Sequence, residues 1–150
     1  IKSYLIIQKM RYKDKLRYRL DIPDSLLNCR LPKLILQPIV ENAIYHGIKL
    51  SPTGGEILIQ GSLQGENLLL SVSDNGVGMT GQQLERLFDP KDSSRGIGIH
   101  NVHNRIQLFF GNQYGLSIQS RDGEGTRVDI LLPNLPMPTT PNEEGESENG

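Results

Sequence analysis

The chain has 150 residues, of which 36% are hydrophobic and 22% are charged, a balance that fits one globular domain with an ordinary core. A net charge of −1 argues against a partner held by a global field, such as nucleic acid or an anionic membrane. The single cysteine, Cys29, excludes an internal disulfide framework and favours a reducing compartment. Because no apolar run approaches the ~18 residues of a spanning helix, we expect a soluble domain. Because the first residue is Ile1 rather than Met, we also expect it to be cut from a longer protein.

The first third of the chain predicts a helix end, a strand and a longer helix. Residues 1–12 mix apolar and basic side chains, as the end of a helix arriving from upstream does. Residues 16–22 alternate between apolar and charged side chains, which is typical of a half-buried strand. From Leu31 to Ile48 the apolar period becomes helical, and Pro32 fits the first turn.

The rest of the chain predicts two hairpins separated by helices. A glycine-rich break at 51–55 ends the first long helix, and Gly111 ends a helix that begins near Ile99, after a shorter one. The four predicted hairpin strands are 56–60, 68–74, 116–118 and 128–132.

This element order lacks the regular strand–helix alternation of a doubly wound parallel sheet. We predict an α+β fold, an α/β sandwich with a mixed, mostly antiparallel sheet of about five strands and about three helices on one face. We divide the chain into a helix end or linker (1–12), a globular domain (13–133) and a disordered acidic tail (134–150). The glycine clusters match neither the Rossmann nor the Walker spacing.

Polar groups share one face of the 31–48 helix. Pro38, Asn42, Tyr45 and His46 lie three or four residues apart and therefore project together. The carbonyl oxygen of Asn42 suits Mg²⁺, which prefers oxygen ligands and binds phosphates. A simple helix-surface amide is the alternative interpretation.

Asp74 ends a predicted internal strand, where a buried carboxylate needs a partner. The amino group of adenine is one such partner, because it donates hydrogens that a carboxylate accepts. Gly76 and Gly78 would let the backbone approach a flat ring, against which Met79 could pack. An ordinary Asp-Asn-Gly turn is the alternative.

A second glycine cluster, Gly96 and Gly98, opens the helix that contains Ile99. Free N–H groups at such a helix start favour anions, including phosphate. Lys91 and Arg95 precede it in a short loop that could fold over a ligand, or that could simply be solvated.

Together these segments resemble the GHKL ATPase/kinase superfamily of DNA gyrase B subunits, MutL, Hsp90 chaperones and bacterial histidine kinases. The resemblance extends from about Leu16 to Pro133. Its motifs are the N box (36–47), the G1 box (74–78), the F box (Phe88), the G2 box (96–99) and the closing hairpin with Thr126. Within the superfamily, Leu-Gln-Pro-x-Val-Glu-Asn-Ala followed by His-Gly is similar to LytS/YesM-type sensor histidine kinases.

The resemblance implies a Bergerat fold with a site for Mg·ATP. Asn42 would hold Mg²⁺, and Asp74 would bind the adenine amino group with support from Thr126. Glu41 would act beside Asn42, on a metal-bound water or on the acceptor imidazole, unless it is only a structural hydrogen-bond partner. The implied nucleotide-binding residues are Asn42, Tyr45, His46, Asp74, Gly76, Gly78, Met79, Phe88, Lys91, Arg95, Gly96, Gly98, Ile99 and Thr126.

Two departures from the family pattern bear on mechanism. Pro38 stands four residues before Asn42, where gyrase-like and Hsp90-like members place the glutamate that activates water. Its side chain cannot take a proton, which favours phosphoryl transfer to a protein acceptor over hydrolysis. Tyr45 stands where many histidine kinases carry lysine, so some phosphate-binding charge is missing or moved, and Lys91 is a candidate replacement.

None of the three histidines resembles a kinase phosphoacceptor. His46 lies in the N box, and we interpret His100 and His103 as helix-surface residues rather than a metal pair. The resemblance implies an acceptor histidine on an upstream dimerization domain, a homodimeric full-length protein, a response regulator, and a cytoplasmic domain of a membrane-anchored bacterial sensor. Alone, the chain should autophosphorylate poorly or not at all. A nucleotide-sensing interaction module and a hydrolysing GHKL ATPase are the alternatives.

Overall fold

A computed structural model describes residues 1–26, 35–87, 89 and 97–134. The described chain forms one mixed sheet of five strands, in the order β1-β2-β3-β5-β4. β1 pairs with β2 in parallel, and the other three pairings are antiparallel. The strands are Leu16–Asp21 (β1), Gly55–Gln64 (β2), Asn67–Asp74 (β3), Gly115–Arg121 (β4) and Gly125–Pro133 (β5).

Four α-helices accompany the sheet in the described residues. They are Lys2–Tyr12 (α1), Leu36–Asn42 (α2), Gly81–Leu87 (α3) and Ile97–Phe110 (α4). α2 continues directly into a π-helical segment, Ala43–Ile48, and short 3₁₀ turns occupy Lys13–Lys15 and Asp24–Leu26.

The hydrophobic core lies on one face of the sheet. Side chains alternate between the faces of a strand, so Ile57 of β2, Val72 of β3 and Val128 of β5 point to the same side, and all three are buried. α4 contacts β4 and β5, the π segment contacts β2, β3 and β5, and α2 and α4 contact each other. The helical layer thus covers the face on which Asp74, at the end of β3, also lies.

The predicted fold class is confirmed, including the five strands and the mixed, mostly antiparallel pairing. β2 runs four residues beyond its predicted end at Gln60. Its last residues are more exposed and lack a clear apolar alternation, but each of them pairs with a residue of β3. The predicted helix start at 31–34, Cys29 and the tail from 135 fall outside the described residues. Within the described ranges, no helix is long and apolar enough to cross a membrane.

Candidate functional site

Asp74 is a buried carboxylate held by backbone N–H groups. Its Oδ1 atom accepts a hydrogen bond of 2.9 Å from the N–H of Gly76, which closes the turn after β3. Burial raises the pKa of Asp74 to about 6, although hydrogen bonds from the backbone of Gly76 and Thr126 act in the opposite direction. The carboxyl group is therefore costly to ionise and would gain from a further hydrogen-bond donor.

The N box reaches Asp74 through Gly47, at the end of the π segment. A Cβ atom built on Gly47 would lie only 2.6 Å from Oδ1 of Asp74. The carbonyl oxygen of Gly47 also accepts a hydrogen bond of 3.3 Å from the N–H of Val77. A side chain at Gly47 would therefore displace the carboxylate, so glycine is required here for close approach.

Ser120, on β4, ties together the segments beside Asp74. Its Oγ atom accepts a hydrogen bond of 2.8 Å from the N–H of Met79 and donates one of 2.9 Å to the carbonyl oxygen of Gly125. It also lies 2.8 Å from the hydroxyl oxygen of Thr126. The turn after β3 and the β4–β5 hairpin are thus fixed to each other by one hydroxyl group.

Sequence reasoning did not find Ser120, although a signal was available. Leu116 and Ile118 alternate towards the core, so the same period turns Ser120 inwards. A polar side chain at an inward position near a strand end needs a hydrogen-bond partner, so this pattern indicates a candidate structural or binding residue.

A first cavity, of about 220 Å³, opens beside Asp74. Gly78 adopts a left-handed backbone with a φ of 68°, and a Cβ atom there would collide with the carbonyl oxygen of Arg121. Met79, the residue after Gly78, is buried. The cavity is lined by Ser73, Asp74, Gln119, Ser120, Arg121, Glu124, Gly125, Thr126 and Arg127.

A second cavity, of about 160 Å³, lies between the N-box helix and the start of α4. Gly98 belongs to the first turn of α4, and a Cβ atom built on it would lie 3.5 Å from Cβ of Pro38. The lining residues are Pro38, Glu41, Asn42, Tyr45, His46, Gly98 and Ile99. Every one of them was singled out from the sequence, and they come from two segments about fifty positions apart.

The change from α to π geometry after Asn42 shapes this second cavity. The N–H of Lys49 donates to the carbonyl oxygen of Ile44, five residues back, at 2.8 Å. Tyr45 and His46 are consecutive residues of this π segment, and both line the cavity. Short π segments occur frequently at functional sites.

Glu41 carries the carboxylate of the second cavity. Its Oε1 atom accepts a hydrogen bond of 3.2 Å from Nε2 of Gln37, one helical turn earlier. Glu41 therefore both lines the cavity and has a structural hydrogen-bond partner. Gly47 connects the two cavities. It follows His46, which lines the second cavity, and it lies against Asp74, which lines the first cavity.

The remaining candidates divide into two groups. Phe88, Lys91, Arg95 and Gly96 fall outside the described residues. His103 lies against β4, where its Nδ1 atom accepts a hydrogen bond of 3.0 Å from the N–H of Leu116, and its pKa is lowered by burial and then by nearby His100. Across the described ranges, no three His, Cys, Asp or Glu side chains form a metal-binding group.

Comparison with solved structures identifies the class of fold. The catalytic domain of histidine kinase ThkA superposes with a TM-score of 0.67 at 16% identity, covering 91% of each chain. The mycobacterial sensor histidine kinase MprB gives a TM-score of 0.58 at 20% identity, covering 90% of this chain and 93% of the other. The fold is that of histidine kinase catalytic domains.

The sequence comparison identifies the family. Residues 30–136 match the family described as histidine kinase-, DNA gyrase B- and HSP90-like ATPase, so the chain belongs to it. The chain is 39% identical to the sensor histidine kinase YesM of Bacillus subtilis and 33% identical to the sensor histidine kinase BtsS of Escherichia coli, each over 133 residues. It is also 31% identical to the sensor protein LytS of Staphylococcus saprophyticus over 136 residues. These matches cover 89% of this chain but only 22% to 23% of each relative, so the chain spans about a fifth of their length.

Proposed function

We propose that this chain is the catalytic, ATP-binding domain of a LytS/YesM-like sensor histidine kinase. In this proposal, the first cavity takes the adenine ring. The carboxylate of Asp74 accepts from the adenine amino group, and Thr126 supports that side of the pocket. Gly76 and Gly78 let the turn after β3 lie close to the backbone of Gly47 and Arg121, which holds Asp74 in place. Two observations support this assignment. The carboxylate of Asp74 accepts hydrogen bonds from two backbone N–H groups and can accept more. Its pKa is also raised by burial, as is common for carboxylates at functional sites.

The second cavity takes the phosphates in this proposal. Gly98 and Ile99 lie in the first turn of α4, where free N–H groups attract anions. The amide oxygen of Asn42 is a ligand of the kind that Mg²⁺ prefers, and the carboxylate of Glu41 lies beside it in the cavity lining as the candidate base. Asn42 would hold the metal together with phosphate oxygens, and the metal supplies neutralisation of the charge on the transferred group. Tyr45 and His46 would line the phosphate side.

Pro38 is the single observation that favours transfer over hydrolysis. It lines the second cavity, one helical turn before Asn42, and offers no atom that can accept a proton from water. In this proposal, the attacking group comes from outside the chain. A histidine nitrogen would form the new bond to the γ-phosphorus as the bond to the β-phosphate oxygen breaks, with ADP leaving. Glu41 would accept the imidazole proton.

The partners follow from the relatives, which are named as sensor histidine kinases. We place the acceptor histidine on an upstream dimerization domain, to which residues 1–12, including α1, would be the connection. The full-length protein would be a membrane-anchored bacterial homodimer with this domain in the cytoplasm. The phosphoryl group would pass from the histidine to an aspartate of a response regulator. Residues 13–133 would form the catalytic domain, and 134–150 an acidic tail.

A mixing experiment tests this function. The chain is incubated with γ-labelled ATP and Mg²⁺, with and without a separately purified upstream fragment that carries the candidate acceptor helix. We expect acid-labile, alkali-stable label on that fragment only, and little label on the chain itself. Glu41→Gln keeps the oxygen that accepts from Gln37 but removes the base, so it should slow transfer while leaving nucleotide affinity largely intact.

Each other outcome identifies a different function. Nucleotide binding without label transfer would contradict the kinase proposal and favour a nucleotide-sensing module. Steady phosphate release by the isolated chain would contradict the role given to Pro38 and favour a hydrolysing ATPase. An absence of nucleotide binding would contradict the assignment of both cavities.

A further inference from the structure

The second cavity has too little positive charge among its described lining residues for a phosphate site. Its described lining residues include one carboxylate, Glu41, and neither a lysine nor an arginine. A nucleotide brings several negative charges, and one Mg²⁺ offsets only two of them. A cation near the cavity wall would therefore add strongly to binding, since charge-assisted hydrogen bonds are about twice as strong as neutral ones.

Lys49 supplies a cation next to this wall. Its ammonium nitrogen lies 5.6 Å from the centroid of the Tyr45 ring, which is a cation–π contact, and Tyr45 lines the cavity. The two residues are four apart. Lys49 is also the donor of the last i→i+5 hydrogen bond of the π segment. Residues four apart on a helix are neighbours on its surface.

The contact with the Tyr45 ring restricts the lysine without using its hydrogen-bond donors. An ammonium group has three N–H donors, and attraction to a ring face is electrostatic. Lys49 is otherwise exposed, so it can donate to a ligand at the mouth of the cavity. The ring reduces the freedom that an exposed lysine would otherwise lose on binding.

We propose that Lys49, held over the Tyr45 ring, is the phosphate-binding cation of the N box. This inference rests on the proposed nucleotide function and adds a residue to it. Tyr45 then has a positioning role: it occupies the wall and orients a cation that stands one turn further along the helix. The phosphate-binding charge has moved from position 45 to position 49, and Tyr45 connects the two positions.

Calorimetry with adenosine, ADP and ATP in the presence of Mg²⁺ tests the inference. Lys49→Met keeps an apolar stem over the ring but removes the charge, and Lys49→Arg keeps the charge. We expect Lys49→Met to lower ADP and ATP affinity about tenfold, the scale of one charge-assisted hydrogen bond. Adenosine affinity should not change, because adenosine has no phosphate, and Lys49→Arg should retain most of the affinity for ADP and ATP.

Two further variants make the test specific. Arg19→Met removes an equal charge from an exposed position of β1, on the sheet face opposite to the core, and should leave all three affinities unchanged. Adding Tyr45→Lys to Lys49→Met returns a cation to the wall and should recover most of the lost ADP and ATP affinity.

The contradicting results are distinguishable from failure of the proposed function. If the unaltered chain binds ATP and Lys49→Met binds it equally well, this inference is wrong while the nucleotide site stands. An equal loss for adenosine, ADP and ATP would also overturn it, since that pattern indicates altered structure. If the unaltered chain binds no adenine nucleotide, the proposed function itself is wrong and Lys49 loses its role with it.

Discussion

The two cavities of the site are built in different ways. Around Asp74, contacts within the protein already fix the position of the carboxylate. Backbone N–H groups donate hydrogen bonds to it, Gly47 packs against it, and Ser120 is hydrogen-bonded to the neighbouring segments. Around Asn42, the walls come from the N-box helix and from α4, and the lining residues that the structure describes include a carboxylate but neither a lysine nor an arginine.

This contrast assigns different tasks to the two ends. The Asp74 end is preorganised and would recognise a neutral, flat ring by shape and hydrogen bonds. The Asn42 end depends on added charge, from a metal ion and from cations such as Lys49. Substitutions at the Asp74 end should therefore act on all adenine ligands, whereas those at the Asn42 end should act only on ligands that carry phosphate.

Asp74→Asn should produce the largest effect on binding. The amide offers a donor towards the adenine amino group, so we expect adenine-nucleotide affinity to fall by about a hundredfold or more, because a buried donor then faces another donor. Calorimetry with ADP measures this, and Asp122→Asn in the exposed β4–β5 turn is the matched control. Unchanged ADP affinity would refute the adenine contact.

The same substitution should stabilise the nucleotide-free chain. Burial raises the pKa of Asp74 from 3.8 to about 6, so its ionised form opposes folding near neutral pH. Removing that charge would add up to about 3 kcal/mol to the free energy of unfolding. Denaturant unfolding of both proteins without ligand measures the difference, and a less stable variant would be the contrary result.

Gly47→Ala should damage both the fold and the site. A methyl group would lie 2.6 Å from Oδ1 of Asp74, closer than real contacts allow, so the π segment or the carboxylate must move. We expect a loss of about 1–3 kcal/mol of stability, typical of overpacking, together with weakened adenosine binding. Gly81→Ala is the matched control, because nothing lies within 4 Å of its Cβ position. Equal behaviour of the two variants would remove the argument for close approach at Gly47.

Nucleotide affinity should depend on pH through Asp74. The pKa is raised, so the carboxyl group takes up a proton as pH falls through about 6 and loses its acceptor role. We expect affinity to fall by up to about tenfold for each further pH unit. The same protonation relieves the cost of burying the charge, so this group's contribution to stability becomes more favourable between about pH 6 and 3.8. A pH titration of adenosine binding avoids phosphate ionisation, and a profile as flat as that of Asp74→Asn would contradict the assignment.

Asn42→Ala should affect the other end alone. Loss of the oxygen that we assign to Mg²⁺ should weaken ADP and ATP binding about tenfold in the presence of the metal, on the scale of one bond to a charged group. With the metal chelated, the variant and the unaltered chain should bind ADP alike. An equal loss with and without Mg²⁺ would argue against a metal-binding role.

Ser120→Ala should have the smallest effect. It leaves the N–H of Met79 without its acceptor, which costs about 1–3 kcal/mol of stability if water cannot replace it. Adenosine affinity should fall a few-fold because the position of Thr126 relaxes. Ser117→Ala, at an exposed position of the same strand, is the control. Full stability and affinity in Ser120→Ala would show that the two segments are held together by other contacts.

Much of this arrangement could be predicted from the sequence, because it depends on period and spacing. The alternation within 68–74 placed Asp74 at the end of a strand, and the helical period placed Pro38, Asn42 and Tyr45 on one face. The resemblance to a family supplied their roles. A change to π geometry has no such signal, since it depends on how the segment packs against β3.

Contacts between distant segments were also beyond sequence reasoning. The approach of Gly47 to Asp74 joins positions 27 apart, and the bond of Ser120 to Met79 joins positions 41 apart. The sequence pattern gives no signal for Lys49, because the family's N-box lysine aligns with Tyr45, one helical turn earlier. Its relation to Tyr45 is visible only once the direction of both side chains is known.

Amide chemical-shift mapping by NMR tests the central claim most directly, because it locates the ligand without altering the protein. We predict that adenosine shifts the amides of Gly76 and Thr126, and that ADP with Mg²⁺ adds shifts at Asn42 and Gly98. A separate cavity of about 360 Å³ on the other face of the sheet, lined in part by Asp21, Gln60 and Ser71, provides the internal comparison. Shifts concentrated there, with Gly76 and Thr126 unchanged, would contradict the account.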